Sequence, residues 1–311
     1  MTETLASFSD LAIYSAMAVY TLAFIAFTID LARRATPAVR AVGDVGSAGT
    51  TPSSAENIPG EAPKASKSIK VAMALTVLAW ILNVAGVVLR GFAAGYAPWS
   101  NMFGFAITAA ALIVGVFLFA QFWQDLRFLG AYIVGFTLVA LGAATVNFAV
   151  AIVPLPPPLQ SAWLVIHVFV AILGTAFFAL GAAIAVAQLV QARREARGTT
   201  TGYLSTLPDS TTLENLSYRI VLVGFVFWTF TLIAGAIWAE RAWGRYWGWD
   251  VKEVWTFIIW TLYAGYIHAR ATRGWRGARS AWLSIIGFTS VVFNFTIVNQ
   301  YFKGLHSYSG L

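Results

Sequence analysis

Long uninterrupted runs of apolar residues dominate the chain, and short polar connections separate them. A helix needs about 20 mostly apolar residues to cross the hydrocarbon core of a membrane. Eight runs meet this requirement, at roughly 10–32, 70–90, 101–123, 128–150, 162–191, 217–239, 253–271 and 281–303. The runs are continuous rather than alternating, which favours helices over the strands of a membrane barrel. The pattern therefore predicts an all-α, polytopic membrane protein with about eight transmembrane helices.

The basic residues are distributed unevenly between the two sets of connections. Fifteen of the 20 Lys and Arg residues fall in one set and five in the other. Lys and Arg concentrate in the cytoplasmic loops of membrane proteins. The richer set, which includes Arg33, Arg127 and Arg193, is therefore predicted to face the cytoplasm. With an even number of spans, both termini are predicted to face outward.

Composition excludes several other classes of protein. The 311 residues are 59% hydrophobic and only 11% charged, whereas an ordinary soluble domain carries about 25% charged residues. The net charge of +7 does not indicate nucleic-acid binding, because the basic residues lie in loops between apolar runs. The absence of Cys excludes thiol chemistry and Cys-ligated metals.

Two parts of the chain differ in character. Residues 36–68 are rich in Pro, Gly, Ala, Ser and Thr, which predicts a flexible cytosolic linker. We therefore expect residues 1–69 to comprise the first transmembrane helix and this linker, and residues 70–311 to form the main membrane domain.

Tryptophan is concentrated in one region that is predicted to face outward. Six of the 13 Trp residues lie close together, at Trp238, Trp243, Trp247, Trp249, Trp255 and Trp260. An aromatic belt at the membrane interface is the plain explanation for any single one of them. Asp250 and Glu253 have the spacing of a helix start, so capping of the seventh span is their plain role. The density of the cluster nevertheless favours a surface that a flat, apolar ligand covers.

Only three His residues occur, and their predicted depths differ. His167 and His306 lie near the outward ends of the fifth and eighth spans, level with the Trp-rich loop, whereas His268 lies near the cytosolic end of the seventh. An interface residue with a satisfied hydrogen bond is the alternative for each. Two imidazoles on opposite faces of a macrocycle can hold haem iron, which favours an outward haem site with His167 and His306 as metal ligands. The basic candidates for pairing with the haem propionates are Arg241, Arg245 and Lys252.

Several segments resemble one known family. Trp-Gly-Arg-Tyr-Trp-Gly-Trp-Asp-Val-Lys-Glu-Val-Trp at 243–255 resembles the tryptophan-rich WWD signature of haem-handling proteins. Gly-Leu-His-Ser-Tyr at 304–308 resembles the GLHSYG ending of the CcsA/ResC family, labelled CcsB in some bacteria. The segments at 163–168 and 98–102 resemble that family's outward His and its PLSNLYE segment. CcmC-like chains have fewer spans and CcmF-like chains are much longer, so the chain is most similar to CcsA/ResC.

The resemblance implies system II cytochrome c biogenesis in a bacterial plasma membrane, with the WWD loop on the outer face. The chain would be the haem-delivery subunit of a cytochrome c synthase. It would move haem b, its cargo, to the outer face and hold it by His167 and His306 for thioether attachment to the CXXCH motif of apocytochrome c. His268 would ligate haem at an inner site, where a ResB-like partner would supply the second ligand. The residues predicted to contact haem are His167, Trp243, Arg245, Trp247, Trp249, Asp250, Lys252, Trp255, His268 and His306.

The sequence leaves the enzymatic status and the class of protein open. It shows no nucleophile–base pair, and the cytochrome c haem lyase that the resemblance implies is a complex of which this chain is one component. Eight spans with a few polar residues such as Asn83 and Asn294 permit a secondary transporter or proton-coupled carrier, although the spans contain almost no acidic residue at mid-depth. A scaffold for a respiratory complex would leave the Trp-rich loop without a role. Two positions depart from the family pattern, since Val251 replaces the usual Pro and Gly104 stands where Glu is frequent.

Overall fold

The computed structural model describes residues 2–35, 66–199, 204, 207–272 and 274–306. Within these ranges the chain forms eight long helices joined by short connections. They are α1 (Thr2–Ala35), α2 (Lys67–Ala94), α3 (Met102–Ala120), α4 (Gly130–Asn147), α5 (Ala162–Ala196), α6 (Ser210–Trp243), α7 (Val251–Thr272) and α8 (Ala278–Phe293). After α8 the chain continues into a π-helical segment, Asn294–Val298, and a last helical turn, Asn299–Tyr301.

A helix lies at each of the eight apolar runs, which confirms the predicted all-α, polytopic architecture. In the part of the chain that the structure describes, seven helices are long and apolar enough to cross a membrane, and α7 is the one that falls short. Its 22 residues would extend about 33 Å, but its Trp, Tyr and His residues lower its hydropathy. α7 still runs the full distance between the two ends of the bundle, because Asp250 before its start contacts His306 and Arg270 in its last turn contacts Glu214.

The segment predicted to be a linker lies mostly outside the described residues. Its end is described, and there the prediction is wrong, because α2 already begins at Lys67. The hydroxyl of Ser66 caps this helix by accepting the N–H of Ile69 at 3.2 Å, which satisfies a donor of the first turn. The division of the chain at residue 69 stays a prediction, and α1 packs along both α2 and α4.

Helices α5 and α6 form the most extensive helix pair in the described region. Small residues allow their close approach. A Cβ atom added at Gly181 of α5 would lie 2.6 Å from Val221, and one added at Gly224 of α6 would lie 2.8 Å from the ring of Phe178. Within a membrane, where lipid is as apolar as the side chains, such close packing is a main source of helix association.

Buried polar contacts fix the two ends of the bundle. At one end the Arg270 guanidinium lies 3.1 Å from the Glu214 carboxylate, and the two side chains are only 6% and 8% exposed. At the other end Arg90 of α2 lies 3.4 Å from the Asp10 carboxylate and donates a hydrogen bond to the backbone oxygen of Val150 at 2.7 Å. Pairing of this kind avoids an uncompensated buried charge. The Arg90 end, near the start of α3, is also where the predicted site residues converge.

Candidate functional site

A cavity of about 180 Å³ lies between α3, α5, α6, α7 and the π-helical segment. His167 and His306 both line it, together with Trp247 of the Trp-rich loop and Lys252 of the first turn of α7. The two imidazoles come from residues 139 positions apart in sequence, so the fold alone brings them to one place. An apolar cavity with a few converging polar groups is typical of a cofactor or ligand site.

His167 projects from the first turns of α5 towards α6. Its Nδ1 lies 3.0 Å from the backbone oxygen of Thr231. A carbonyl oxygen can only accept, so Nδ1 carries the proton of the neutral ring and the lone pair is on Nε2. The indole of Trp238 stacks on the imidazole with ring centroids 5.9 Å apart and planes 13° apart. The tautomer and the plane of His167 are therefore both set by α6.

His306 follows the last helical turn of the chain, and Asp250 anchors it. One oxygen of the carboxylate accepts the Nδ1–H of His306 at 2.7 Å, and the other accepts the backbone N–H of Leu305 at 2.9 Å. Gly304 permits this approach, because a Cβ atom there would collide with the carboxylate. Asp250 thus holds the turn at 304–306 through two hydrogen bonds. Nε2 of His306 remains as the ring nitrogen available to a ligand.

Asp250 is ionised throughout the physiological pH range. Burial would raise its pKa, but hydrogen bonds from the His306 side chain and from the backbone of Leu305 and Lys252 outweigh burial and lower the pKa from 3.8 to about 2. A carboxylate in this state holds the Nδ1 proton of His306 and makes Nε2 a stronger electron donor.

Two imidazoles are enough for a metal that is already bound in a macrocycle, because such a metal needs only two further ligands. The ring centroid of Trp238 lies 5.9 Å from that of His167 and 5.4 Å from that of His306, with interplanar angles of 13° and 63°. Among the described residues, no group of three or more His, Cys, Asp or Glu side chains is placed to hold a bare metal ion. Two imidazoles are too few for a zinc site made by protein alone, but they are the complete axial set of a six-coordinate haem. The donor set therefore fits haem.

The four tryptophans of residues 243–255 occupy different positions. Trp247 lines the cavity, and Trp243 lies edge-on to His306 with ring centroids 4.9 Å apart. Trp255 packs against α8 instead and joins two helices. Trp249 points outward, being 75% exposed, and has a φ of 61°, a conformation that is strained for a bulky residue.

Of the three basic residues considered for the propionates, the structure brings Lys252 to the cavity. Its Nζ donates a hydrogen bond to the backbone oxygen of Asn294 at 3.0 Å. Within the described residues no carboxylate forms an ion pair with this ammonium group. The Arg245 guanidinium instead lies against the backbone of Gly248, and Arg241 is exposed.

The predicted helix-start signature shapes the Trp-rich loop. Glu253 Oε2 accepts the backbone N–H groups of Gly248 at 2.8 Å and Asp250 at 3.0 Å. This contact closes the loop onto the first turn of α7, as expected of a helix start. α7 begins at Val251 even though the usual Pro is absent.

Gly104, the second departure from the family pattern, lies where two backbone segments touch. Asn101 caps α3 by accepting the N–H of Gly104 at 2.8 Å. A Cβ atom at Gly104 would collide with the carbonyl group of Pro98. The contact leaves no room for a glutamate side chain, and it holds the segment at 98–102 against the cavity.

The third histidine is not part of this cavity. His268 lies near the opposite end of α7, two residues before Arg270, and its side chain is exposed on the outside of the helix. The other two histidines lie at the far end of the bundle. A ligand for His268 from another polypeptide stays a prediction.

Three residues of α6 that sequence reasoning did not single out as site residues are Thr231, Gly235 and Trp238. Trp238 belongs to the tryptophan cluster. Its spacing of three residues from Gly235 predicts that both lie on the same face of the helix. Thr231 contributes a backbone carbonyl, and nothing in its identity could have pointed to that role.

Known proteins resemble this chain over most of its length. Residues 68–306 match the family described as Cytochrome C assembly protein. A "Cytochrome c biogenesis protein CcsA" from Guillardia theta is 35% identical over 256 residues, which cover 76% of this chain and 84% of the relative. Its counterpart from Prochlorococcus marinus (strain MIT 9312) is 35% identical over 270 residues, covering 78% and 85% of the two chains.

A solved structure shares the fold. "Cytochrome c Heme Lyase CcmF" superposes with a TM-score of 0.65 at 17% identity, over 94% of this chain and 46% of that protein. The chain thus spans about half the length of that protein, and the likeness concerns the fold alone. Taken with the family match over residues 68–306 and the seven apolar helices, the sequence relatives establish that this multi-pass membrane protein belongs to the cytochrome c assembly protein family.

Proposed function

We propose that the cavity holds haem on the outer face of a bacterial plasma membrane and that the chain delivers this haem to apocytochrome c. His167 and His306 are the two axial ligands in this proposal, each through Nε2. Haem is the cargo of the chain rather than a resident cofactor. The Trp-rich loop then marks the outer face, in agreement with the uneven distribution of Lys and Arg.

One observation carries the proposal. Both imidazoles use Nδ1 for a fixed protein acceptor, the Thr231 carbonyl or the Asp250 carboxylate, and both line the same cavity. Histidines that ligate a metal almost always donate their other ring N–H to a carbonyl or a carboxylate. Two packing histidines would need neither a matched tautomer nor a shared cavity.

The other walls of the cavity suit the rest of the porphyrin. Trp247 offers flat aromatic surface, and Trp243 supports His306 from the side. Among the described residues the ammonium group of Lys252 has no carboxylate partner within ion-pair distance, although the charge of Asp250 acts on it from further away. A haem propionate would provide that partner through a charge-assisted hydrogen bond.

The names of the relatives support the wider role. They describe cytochrome c biogenesis and, for the structural neighbour, a haem lyase. Bound haem would supply the vinyl groups that form thioethers with the cysteines of a CXXCH motif. The residues of this chain bind, orient and shield it, and such positioning accounts for much of the rate of a reaction between two held groups.

The proposal includes a second site and a second protein. His268 is exposed on α7, towards the end of the bundle that is predicted to face the cytoplasm. A ResB-like membrane partner would contribute the other imidazole there. Haem would enter at that inner site and move to the outer cavity.

The test is a spectrum of the purified chain after addition of one equivalent of haemin. The wild-type protein is expected to give the low-spin bands of iron with two imidazole ligands. His167→Ala and His306→Ala are each expected to convert the spectrum to high-spin and to weaken binding. Asn147→Ala is the control, because this exposed side chain lies outside the cavity, and it is expected to leave the bands unchanged. Low-spin haem that persists in either variant, or no bound haem at normal protein yield, would contradict the proposal.

A further inference from the structure

One face of α6 lies against the imidazole of His167. Thr231, Gly235 and Trp238 are spaced by four and three residues, which places them on the same side of the helix. The Thr231 carbonyl accepts the Nδ1–H of the ring at 3.0 Å, and the Trp238 indole is nearly parallel to it. Gly235 lies between these two contacts, where the ring meets the helix backbone.

The imidazole occupies the space that a side chain at position 235 would need. A Cβ atom added at Gly235 would lie 2.7 Å from Cε1 and 2.8 Å from Nδ1 of His167, but 3.6 Å from Nε2. Protein interiors are too closely packed to absorb such contacts without movement. Any larger residue would therefore displace the ring at the edge that makes the hydrogen bond with Thr231.

Two other glycines between α5 and α6 admit different groups. Gly224 makes room for the ring of Phe178, and Gly181 makes room for Val221, so both serve the packing of the helix pair. Gly235 alone among these three faces a side chain that lines the cavity. Its role can therefore be separated by experiment from helix packing.

We propose that Gly235 is a positioning residue for His167. Its missing side chain leaves the slot in which the imidazole reaches the Thr231 carbonyl and turns Nε2 into the cavity. This inference rests on the proposed function, since it concerns the orientation of a haem ligand. A ring pushed out of the slot loses both its fixed tautomer and its direction, and the iron keeps His306 as its one protein ligand.

The first experiment compares Gly235→Ala with Gly224→Ala by titration with haemin, followed by absorption and electron paramagnetic resonance spectra. Gly235→Ala is expected to lower haem affinity about 10- to 100-fold and to convert low-spin iron to high-spin iron. Gly224→Ala is the matched control, because it adds the same methyl group to the same helix pair. It is expected to keep the wild-type low-spin spectrum even where its thermal stability falls. Wild-type affinity and spin state in Gly235→Ala would overturn the inference.

The second experiment remains informative if Gly235→Ala folds poorly. In a chain that already carries His167→Ala the slot is empty, so Gly235→Ala is expected to leave the midpoint of thermal unfolding nearly unchanged. With His167 present, the same substitution is expected to lower the midpoint. Equal destabilisation in the two backgrounds would overturn the inference, because the added methyl group would then conflict with something other than the imidazole.

The two proposals fail in different ways. Wild-type protein that binds no low-spin haem, or His167→Ala protein that still binds it in low-spin form, would refute the proposed function. Loss of low-spin haem in His167→Ala together with its retention in Gly235→Ala would refute the positioning role alone.

Discussion

Replacement of Asp250 by asparagine tests how His306 is anchored. The carboxylate accepts hydrogen bonds from Nδ1 of His306 at 2.7 Å and from the backbone N–H groups of Leu305 at 2.9 Å and Lys252 at 3.3 Å. Asparagine has the same shape but offers one accepting oxygen and one NH₂ group. If its oxygen stays with Leu305, its NH₂ group faces His306. The imidazole proton must then move to Nε2, where it blocks the lone pair that would bind iron.

The size of the effect follows from the hydrogen bond that is lost. A hydrogen bond to a charged group contributes about 1.5–3 kcal/mol, and about 1.4 kcal/mol corresponds to a tenfold change in affinity. Asp250→Asn is therefore expected to weaken haem binding about 10- to 100-fold, in line with other residues that orient metal ligands. The measurement is a haemin titration followed at the Soret band, with the spin state read from the same spectra.

The control for this titration is Asp125→Asn. Asp125 pairs with Arg127 at the opposite end of the bundle, so the same chemical change there should leave haem binding unaltered. An Asp250→Asn protein that binds haem within about twofold of wild type, still in low-spin form, would refute the reasoning.

The same carboxylate predicts a response to acid. A group whose pKa is lower in the folded protein contributes stability that is complete above its unfolded value and is lost as the pH falls through its folded value. The pKa of Asp250 falls from 3.8 to about 2 on folding. The contact with the turn at 304–306 is therefore expected to persist down to about pH 4 and to open as the pH approaches 2. Tryptophan fluorescence of the haem-free protein should report this step through Trp243, and Asp250→Asn should lack it.

Four further substitutions separate the parts of the site. Trp247→Ala should lower haem affinity, whereas Trp249→Ala should leave it unchanged, because the latter ring points away from the cavity; haemin titration distinguishes them. Lys252→Met should abolish any preference for haem over its dimethyl ester, which the wild type should bind about tenfold more weakly; an ester bound as tightly as haem by wild type would exclude the propionate contact. Gly104→Ala should destabilise the protein by about 1–3 kcal/mol, seen as a lower unfolding midpoint, since its Cβ meets the Pro98 carbonyl.

The number and positions of the helices could be predicted from the sequence, but their ends could not. Apolar runs report the length that lies in lipid, whereas helix ends follow capping contacts. α6 shows the difference, because its apolar run begins near residue 217 while the helix begins at Ser210, where Asp209 accepts the N–H of Thr212 at 2.8 Å. Polar turns of this kind extend a helix beyond the bilayer without any hydrophobic signal.

The two cavity histidines were predictable because histidine is rare in this chain and its depth could be inferred from the spans. The contacts that orient them were not predictable, since Thr231 and Gly304 act through the close approach of distant backbone segments. The signature tryptophans look equivalent in sequence and are not equivalent in the structure. A positive φ turns Trp249 outward, and helical phase directs Trp255 towards α8.

The modest hydropathy of α7 has a consequence for how the protein is made. In the described part of the chain, seven helices carry enough apolar surface to enter lipid as single segments. α7 is stabilised by packing against α6 and α8, which cover its aromatic and polar groups. We therefore expect the insertion of α7 to depend on its packing against α6 and α8. The cavity lined by His167 and His306 needs the first turn of α7, and we accordingly expect it to form late.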